Sequence, residues 1–240
     1  MGYVDVHSHI IPGVDDGPDD IELSKRMLQA SYDAGFTTII ATPHCCKGFR
    51  KYSLNDVIEL CLILNEYAQE HISRDFQVLP GQEIYFNEES LRLINSEQVL
   101  PIARGRYVLL EFDPGVSYSH MRRAIREVSM SSYQVVLAHF ERYECLYDFN
   151  NIRELRSLGI LLQMNYSDIG GSWFNKSTKF CRKCLINGYV DFLGTDMHDD
   201  ASRGPHVKRA LNWMKNHLDE EYLKAITEIN AKSILNKDKG

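Results

Sequence analysis

Short β-branched, apolar runs alternate with longer stretches of helical periodicity from one end of the chain to the other. The runs at residues 3–6, 37–42, 76–79, 107–112, 133–138, 160–164 and 189–194 predict seven strands. The first helix opens at Pro18-Asp19-Asp20, with an acidic first turn, and stops at Gly35. Ser53 caps a second, in which Val57, Ile58, Cys61, Leu64 and Ala68 recur at three- and four-residue spacing and so share one buried face. Further helices are expected near 88–95, 119–130, 152–158 and 178–187, and over 205–235 in two pieces. No Pro/Gly/Ser-rich linker or repeat interrupts the series, which predicts one domain over 1–240 ending in a short flexible tail near 236–240. Strict alternation means parallel strands joined by right-handed crossovers. Seven such units without a dinucleotide glycine fingerprint fit a (β/α) barrel, in which reactive groups sit at the C-terminal ends of the strands.

Composition narrows the class. With 240 residues, 44% hydrophobic and 25% charged, the chain can build a core without disulfides. Its six cysteines, at 45, 46, 61, 145, 181 and 184, lack the spacing of a disulfide scaffold and read as reduced thiols. A net charge of −6 and the absence of a Lys/Arg-rich run argue against nucleic acid or an anionic membrane surface as partner. The N-terminus lacks a signal-peptide pattern and no apolar stretch approaches a membrane span, so a cytoplasmic location without membrane insertion is expected. The number of subunits is left open.

Chemistry gathers at the strand ends. His7 and His9 follow the first strand, His44 the second, Glu83 lies just beyond the third, Glu111 ends the fourth, His139 follows the fifth, and Asp196 and His198 follow the seventh. Asp16, in the loop after the first strand, can fold back over the same rim, while the sixth strand ends in Met164-Asn165 without a strong ligand. A lone histidine in such a place is as often structural as functional. Nine convergent ionisable groups are another matter, because they are costly to desolvate unless paired or metal-bound. Five imidazoles and four carboxylates without a thiolate suit manganese, iron, zinc or cobalt better than calcium or magnesium. The set exceeds the needs of one ion and suffices for three divalent ions that share bridging carboxylates. Such a site keeps an excess of about two positive charges and attracts a phosphate monoester. Arg142 and Arg203 leave the same rim and can grip phosphate oxygens.

These segments resemble the polymerase and histidinol phosphatase (PHP) metal-dependent hydrolases, and within them the bacterial tyrosine phosphatases of capsule and exopolysaccharide operons. The likeness rests on His7-Ser8-His9, Asp15-Asp16-Gly17-Pro18, Ala41-Thr42-Pro43-His44, Gly81-Gln82-Glu83-Ile84, Leu110-Glu111-Phe112, Ala138-His139-Phe140-Glu141-Arg142-Tyr143 and Gly194-Thr195-Asp196-Met197-His198, in the family's order along the whole chain. It implies a distorted (β/α)7, TIM-barrel-like fold and a trinuclear site, commonly described with manganese, on residues matching His7, His9, Asp16, His44, Glu83, Glu111, His139, Asp196 and His198. It also implies phosphate contacts matching Arg142 and Arg203, and as substrate the phosphotyrosine tail of a membrane-associated tyrosine autokinase that controls polysaccharide export. The chain departs from the family at His44-Cys45-Cys46-Lys47-Gly48, where relatives usually carry a second histidine, so that neighbour's role does not carry over.

The expected reaction is in-line attack on phosphorus by a hydroxide held between two ions, with metals and arginines stabilising the equatorial oxygens. Phenolate is a good leaving group; Asp199, Asp200 and a metal-bound water are the candidate proton donors. The His44-Cys45 pair invites comparison with the HCX5R loop of cysteine phosphatases, but the required arginine position is Lys51 and Gly48 is the loop's one glycine. Cys181 and Cys184 form an isolated CxxC on an expected helix and read as packing. Phe49, Tyr52, Tyr85, Phe86, Tyr143, Tyr166 and Trp173 could stack on a phosphotyrosine ring or pack the barrel. Two other functions are compatible: a histidinol or other small-molecule phosphatase, and a non-catalytic, metal-stabilised module that holds a kinase tail.

Overall fold

The computed structural model describes residues 2–48, 52–172 and 174–235. The expected tail at 236–240 and the rim aromatics Phe49 and Trp173 lie outside them. The strands are β1 (Tyr3–Ser8), β2 (Phe36–Ala41), β3 (His44–Cys45), β4 (Gln77–Pro80), β5 (Glu83–Tyr85), β6 (Tyr107–Glu111), β7 (Gln134–Leu137), β8 (Leu161–Asn165) and β9 (Phe192–Gly194), and every paired strand is parallel to its neighbour. They lie in the orders β1-β2-β4 and β3-β5-β6-β7-β8-β9. The nine pieces occupy the seven expected positions. Pro43 has no N–H to give to a ladder, so the second strand breaks into β2 and β3. The third breaks at the same level, because Ala41 pairs with Pro80 and His44 with Glu83. Backbone bonds from Gly81 N to Ala41 O (2.8 Å) and from Glu83 N to Pro43 O (3.1 Å) carry the pairing across the gap. The ring closes where Asp196 N donates to His7 O at 2.8 Å and His9 N to Met197 O at 2.9 Å.

The crossovers are α1 (Ile21–Asp33), α2 (Leu54–His71), α3 (Glu88–Asn95), α4 (Tyr118–Val128), α5 (Phe149–Ser157), the single turn α6 (Tyr166–Ile169), α7 (Lys176–Ile186) and α8 (Lys208–His217), followed by α9 (Glu220–Lys224), a π-helical turn and α10 (Asn230–Leu235). Local chemistry starts them where expected. Asp20 accepts from Leu23 N, and Ser53 and Asp56 form a capping box at the head of α2. Alternation along the strands then sorts the core. Val108, Leu110, Val135, Leu137 and Leu162 pack outward under the helices. Leu109 and Val136 join Val4, Val6, Ile40 and Phe192, with Ala231 and Ile234 of α10 packed against them. Among the described residues no helix is long and apolar enough to cross a membrane.

Candidate metal centre

The strand breaks and turns aim the candidate ligands. His7 lies within β1 and His9 just past it, His44 and Glu83 open β3 and β5, Glu111 ends β6, His139 follows β7, and Asp196 and His198 follow β9. His139 and Asp196 have φ of 29° and 53°, left-handed conformations that cost a non-glycine residue energy and are held by their surroundings. Gly194 is required for a different reason: a Cβ there would lie 2.6 Å from the Cβ of His7.

All nine expected ligands meet at one end of the barrel. Their donor atoms form three groups, each within 4.8 Å: His9, Asp16, His44 and His198; His7, His9 and Asp196; His44, Glu83 and Glu111. His139 joins them through Glu83, its Nε2 lying 2.7 Å from Oε1. Glu83 Oε2 lies 2.8 Å from His44 Nδ1, 3.3 Å from His7 Nε2 and 3.4 Å from His9 Nε2. Eight of the nine are buried; Asp16 is the exposed one.

Second partners fix the tautomers. His7 Nδ1 donates to Gln163 Oε1 at 3.0 Å, His9 Nδ1 to Asp15 Oδ2 at 2.7 Å, and His198 Nδ1 to the Asp196 carbonyl at 2.9 Å. In each ring Nδ1 thereby carries a proton, and Nε2 is the atom left to face the cluster. The Gln163 amide is itself oriented, because its Oε1 also accepts from His139 N at 2.8 Å and its Nε2 donates to Asn165 Oδ1. Asp5 anchors the base of the site by accepting from Thr195 Oγ1 (2.6 Å) and from His7 N (3.2 Å).

Each of the three groups contains a carboxylate with one oxygen held by a cation from a loop. Arg142 Nη2 donates to Asp196 Oδ2 at 2.6 Å, Arg203 Nη1 to Asp16 Oδ2 at 3.0 Å, and Lys47 Nζ to Glu111 Oε1 at 2.5 Å. The other oxygens of Asp196 and Asp16 face imidazoles, Asp196 Oδ1 3.4 Å from His9 Nε2 and Asp16 Oδ1 3.2 Å from His198 Nε2, while Glu111 has an imidazole near each oxygen, His44 Nδ1 at 3.7 Å from Oε2 and His139 Nε2 at 3.5 Å from Oε1. Charge is thus concentrated without full compensation. Burial would raise the Glu83 and Asp196 carboxyl pKa values, but His7 and its neighbouring imidazoles override it and hold both well below the usual range. Burial opposes charge on His9 as well, yet Asp15, Asp196 and Glu83 raise it well above the ordinary value. Its stacked neighbour His198, ring centroids 3.9 Å apart, is pushed down to about 3 by burial and by the charge on His9.

The donor set fits divalent cations. Glu83 Oε2, Glu111 Oε2 and His198 Nε2 are buried without a hydrogen bond, although Glu83 Oε2 has imidazole nitrogens close by. Buried ligand atoms left without a hydrogen bond beside other such atoms are what a cation satisfies. Nitrogen and carboxylate oxygen without sulfur suit borderline divalent metals.

Several functional neighbours were not visible as such in the sequence. The sixth strand position, which brings no strong ligand, supplies Gln163 and Asn165; Asn165 Nδ2 donates to Asp196 Oδ2 at 3.0 Å. Asp15 braces His9 and accepts from His44 N at 3.0 Å. The candidate proton donors Asp199 and Asp200 are engaged elsewhere. Asp199 accepts from Ala201 N, Arg203 N and Ser202 Oγ in its own loop, and Asp200 pairs with Arg26 at 2.7 Å. Tyr143 and Tyr166 are packing residues, fully buried, and Tyr143 Oη accepts from Phe112 N. Burial pushes the Cys45 thiol far up, opposite to what a thiolate nucleophile needs, while Arg50 and Lys51 lie outside the described residues. Cys181 and Cys184 are buried on α7 in the core.

The profile of the family described as capsular polysaccharide synthesis, CpsB/CapC, matches residues 3–236. The tyrosine-protein phosphatase CpsB of Streptococcus pneumoniae is 30% identical over 238 residues, spanning 97% of this chain and 98% of its own. The tyrosine-protein phosphatase YwqE of Bacillus subtilis (strain 168) is 29% identical over 240 residues, spanning 97% of this chain and 91% of its own. A crystal structure from a study of YwqE and CpsB, described there as unique metal-dependent tyrosine phosphatases, superposes with a TM-score of 0.84 at 27% identity, over 97% of this chain and 94% of that one. A variant organophosphorus hydrolase of Deinococcus radiodurans shares the fold alone, with a TM-score of 0.63 at 13% identity over 98% of this chain and 93% of that one.

Proposed function

The chain belongs to the CpsB/CapC family of capsular polysaccharide synthesis, and from that membership we propose that it is a metal-dependent protein-tyrosine phosphatase whose centre is the cluster at the barrel mouth. The observation that carries this reading is the meeting of nine nitrogen and oxygen groups in which acceptors on Nδ1 turn the Nε2 atoms of three imidazoles toward the cluster. His7, His9, Asp16, His44, Glu83, Glu111, His139, Asp196 and His198 hold three divalent ions, manganese first among them. When bound, the ions lower the pKa of a coordinated water to near neutrality and neutralise charge on the phosphoryl oxygens. The chain's own groups do the rest. Gln163, Asp15 and the Asp196 carbonyl keep the histidines in the liganding tautomer, and Arg142 and Arg203 orient the phosphoryl group and stabilise its equatorial oxygens in the transition state. A phenolate leaves with little acid assistance, which agrees with the engagement of Asp199 and Asp200 elsewhere. The substrate is the phosphotyrosine tail of a bacterial tyrosine autokinase, met in the cytoplasm.

The test is to load the chelated protein with manganese and compare rates on a tyrosine-rich phosphopeptide and on histidinol phosphate. Faster turnover of the peptide, abolished by chelator and restored by metal, is expected. Preference for histidinol phosphate would move the chain to small-molecule chemistry, and peptide binding without hydrolysis of either ester would make it a binding module.

A further inference from the structure

The two arginines expected at the rim have a counterpart that the sequence did not single out. Like Arg142 on Asp196 and Arg203 on Asp16, Lys47 is a loop cation on one oxygen of a carboxylate that belongs to a candidate metal group; the Glu111 oxygen it holds, Oε1, also lies 3.5 Å from His139 Nε2, and Oε2 lies 3.7 Å from His44 Nδ1. The three cations come from three loops, after β3, β7 and β9, so they surround the mouth and do not line one side of it. The Lys47 side chain is about as accessible as the arginines, 33% against 41% and 48%.

The loop that delivers it is built for the purpose. Cys46 and Gly48, on either side of Lys47, have φ of 67° and 85°. A left-handed cysteine is an energetic cost, and here the turn is pinned by Asn87 Nδ2, which donates to Cys46 O at 2.9 Å, while Tyr52 Oη donates to His44 O at 2.6 Å. The ammonium has three protons. One meets Glu111; the ammonium also lies 5.8 Å from the centroid of the Tyr85 ring on the rim.

We infer that Lys47 is a third phosphate-binding cation of the site, closing with Arg142 and Arg203 a tripod around the phosphoryl dianion. This deepens the phosphatase reading and rests on it. A dianion with three non-bridging oxygens is held in one orientation by three separate donors, whereas two leave it free to rotate about the line between them.

The experiment measures binding of inorganic phosphate by calorimetry to the manganese-loaded protein, with metal content determined on the same samples, for the parent, Lys47→Met and Lys47→Arg. Lys47→Met, which keeps an unbranched apolar stem, is expected to weaken phosphate about ten- to a hundredfold with metal content unchanged, and Lys47→Arg to recover most of the loss. KM for the phosphopeptide should rise in parallel. Unchanged phosphate affinity in Lys47→Met would overturn the assignment. So would loss of metal in proportion to loss of phosphate, because Lys47 would then only orient Glu111. If the parent binds phosphate through Lys47 but hydrolyses no phosphotyrosine, the phosphatase reading fails and the phosphate site stands.

Discussion

At the scale of single residues, the side chains behind the ligands decide as much as the ligands do. Asp15 belongs to no candidate metal group, yet its carboxylate fixes the orientation of His9 and the His44 backbone together. Asp15→Asn keeps the volume but weakens the acceptor, so metal affinity should fall about ten- to a hundredfold while the fold is kept. Competition with a chromogenic chelator checks it, and unchanged affinity would remove Asp15 from the site. Glu141 gives a pH test. Its carboxyl is fully buried, with Oε1 accepting from Asn165 N at 2.9 Å, and burial, helped by Asp168, pushes its pKa up to about 8. The folded state therefore keeps a proton that the unfolded chain releases above about 4.5, so stability falls as pH rises from there through 8. Glu141→Gln has no proton to lose. Its thermal-stability advantage should widen between pH 5 and 8, to on the order of a few kcal/mol, and a constant difference across that range would contradict the assignment.

Elements show what patterning can and cannot convey. The seven strand positions and the convergence of the candidate ligands were legible because each candidate is a histidine or acid next to an apolar run, and the barrel rule sends those positions to one rim. The break at Pro43 was written in the chain, but its partner at Gly81-Gln82 follows from register, which a single strand does not state. Gln163, Asn165 and Lys47 carry no signal of their own: an amide in a strand or a lysine in a loop acquires meaning only from what stands opposite in space. Gly194 is the element-scale prediction. It lets β9 lie against β1 at His7, so Gly194→Ala should cost about 1–3 kcal/mol by overpacking and displace His7. Thermal unfolding and metal content report the two effects, and a variant normal in both would show that β1 and β9 can part without harm.

For the whole molecule, the fold is an apparatus for bringing six strand ends, far apart in sequence, to one charged cluster. An organophosphorus hydrolase variant shares this fold at 13% identity, and fold fixes where chemistry can happen while side chains fix which chemistry. Ions held at the proposed centre would join distant segments, so removing them should cost stability as well as activity. Stepwise reloading of the chelated protein, with elemental analysis and phosphotyrosine hydrolysis followed on the same samples, tests the central claim. The account predicts that activity is absent without ions, appears as they bind and saturates near three per chain. Full activity in the metal-free protein would contradict it.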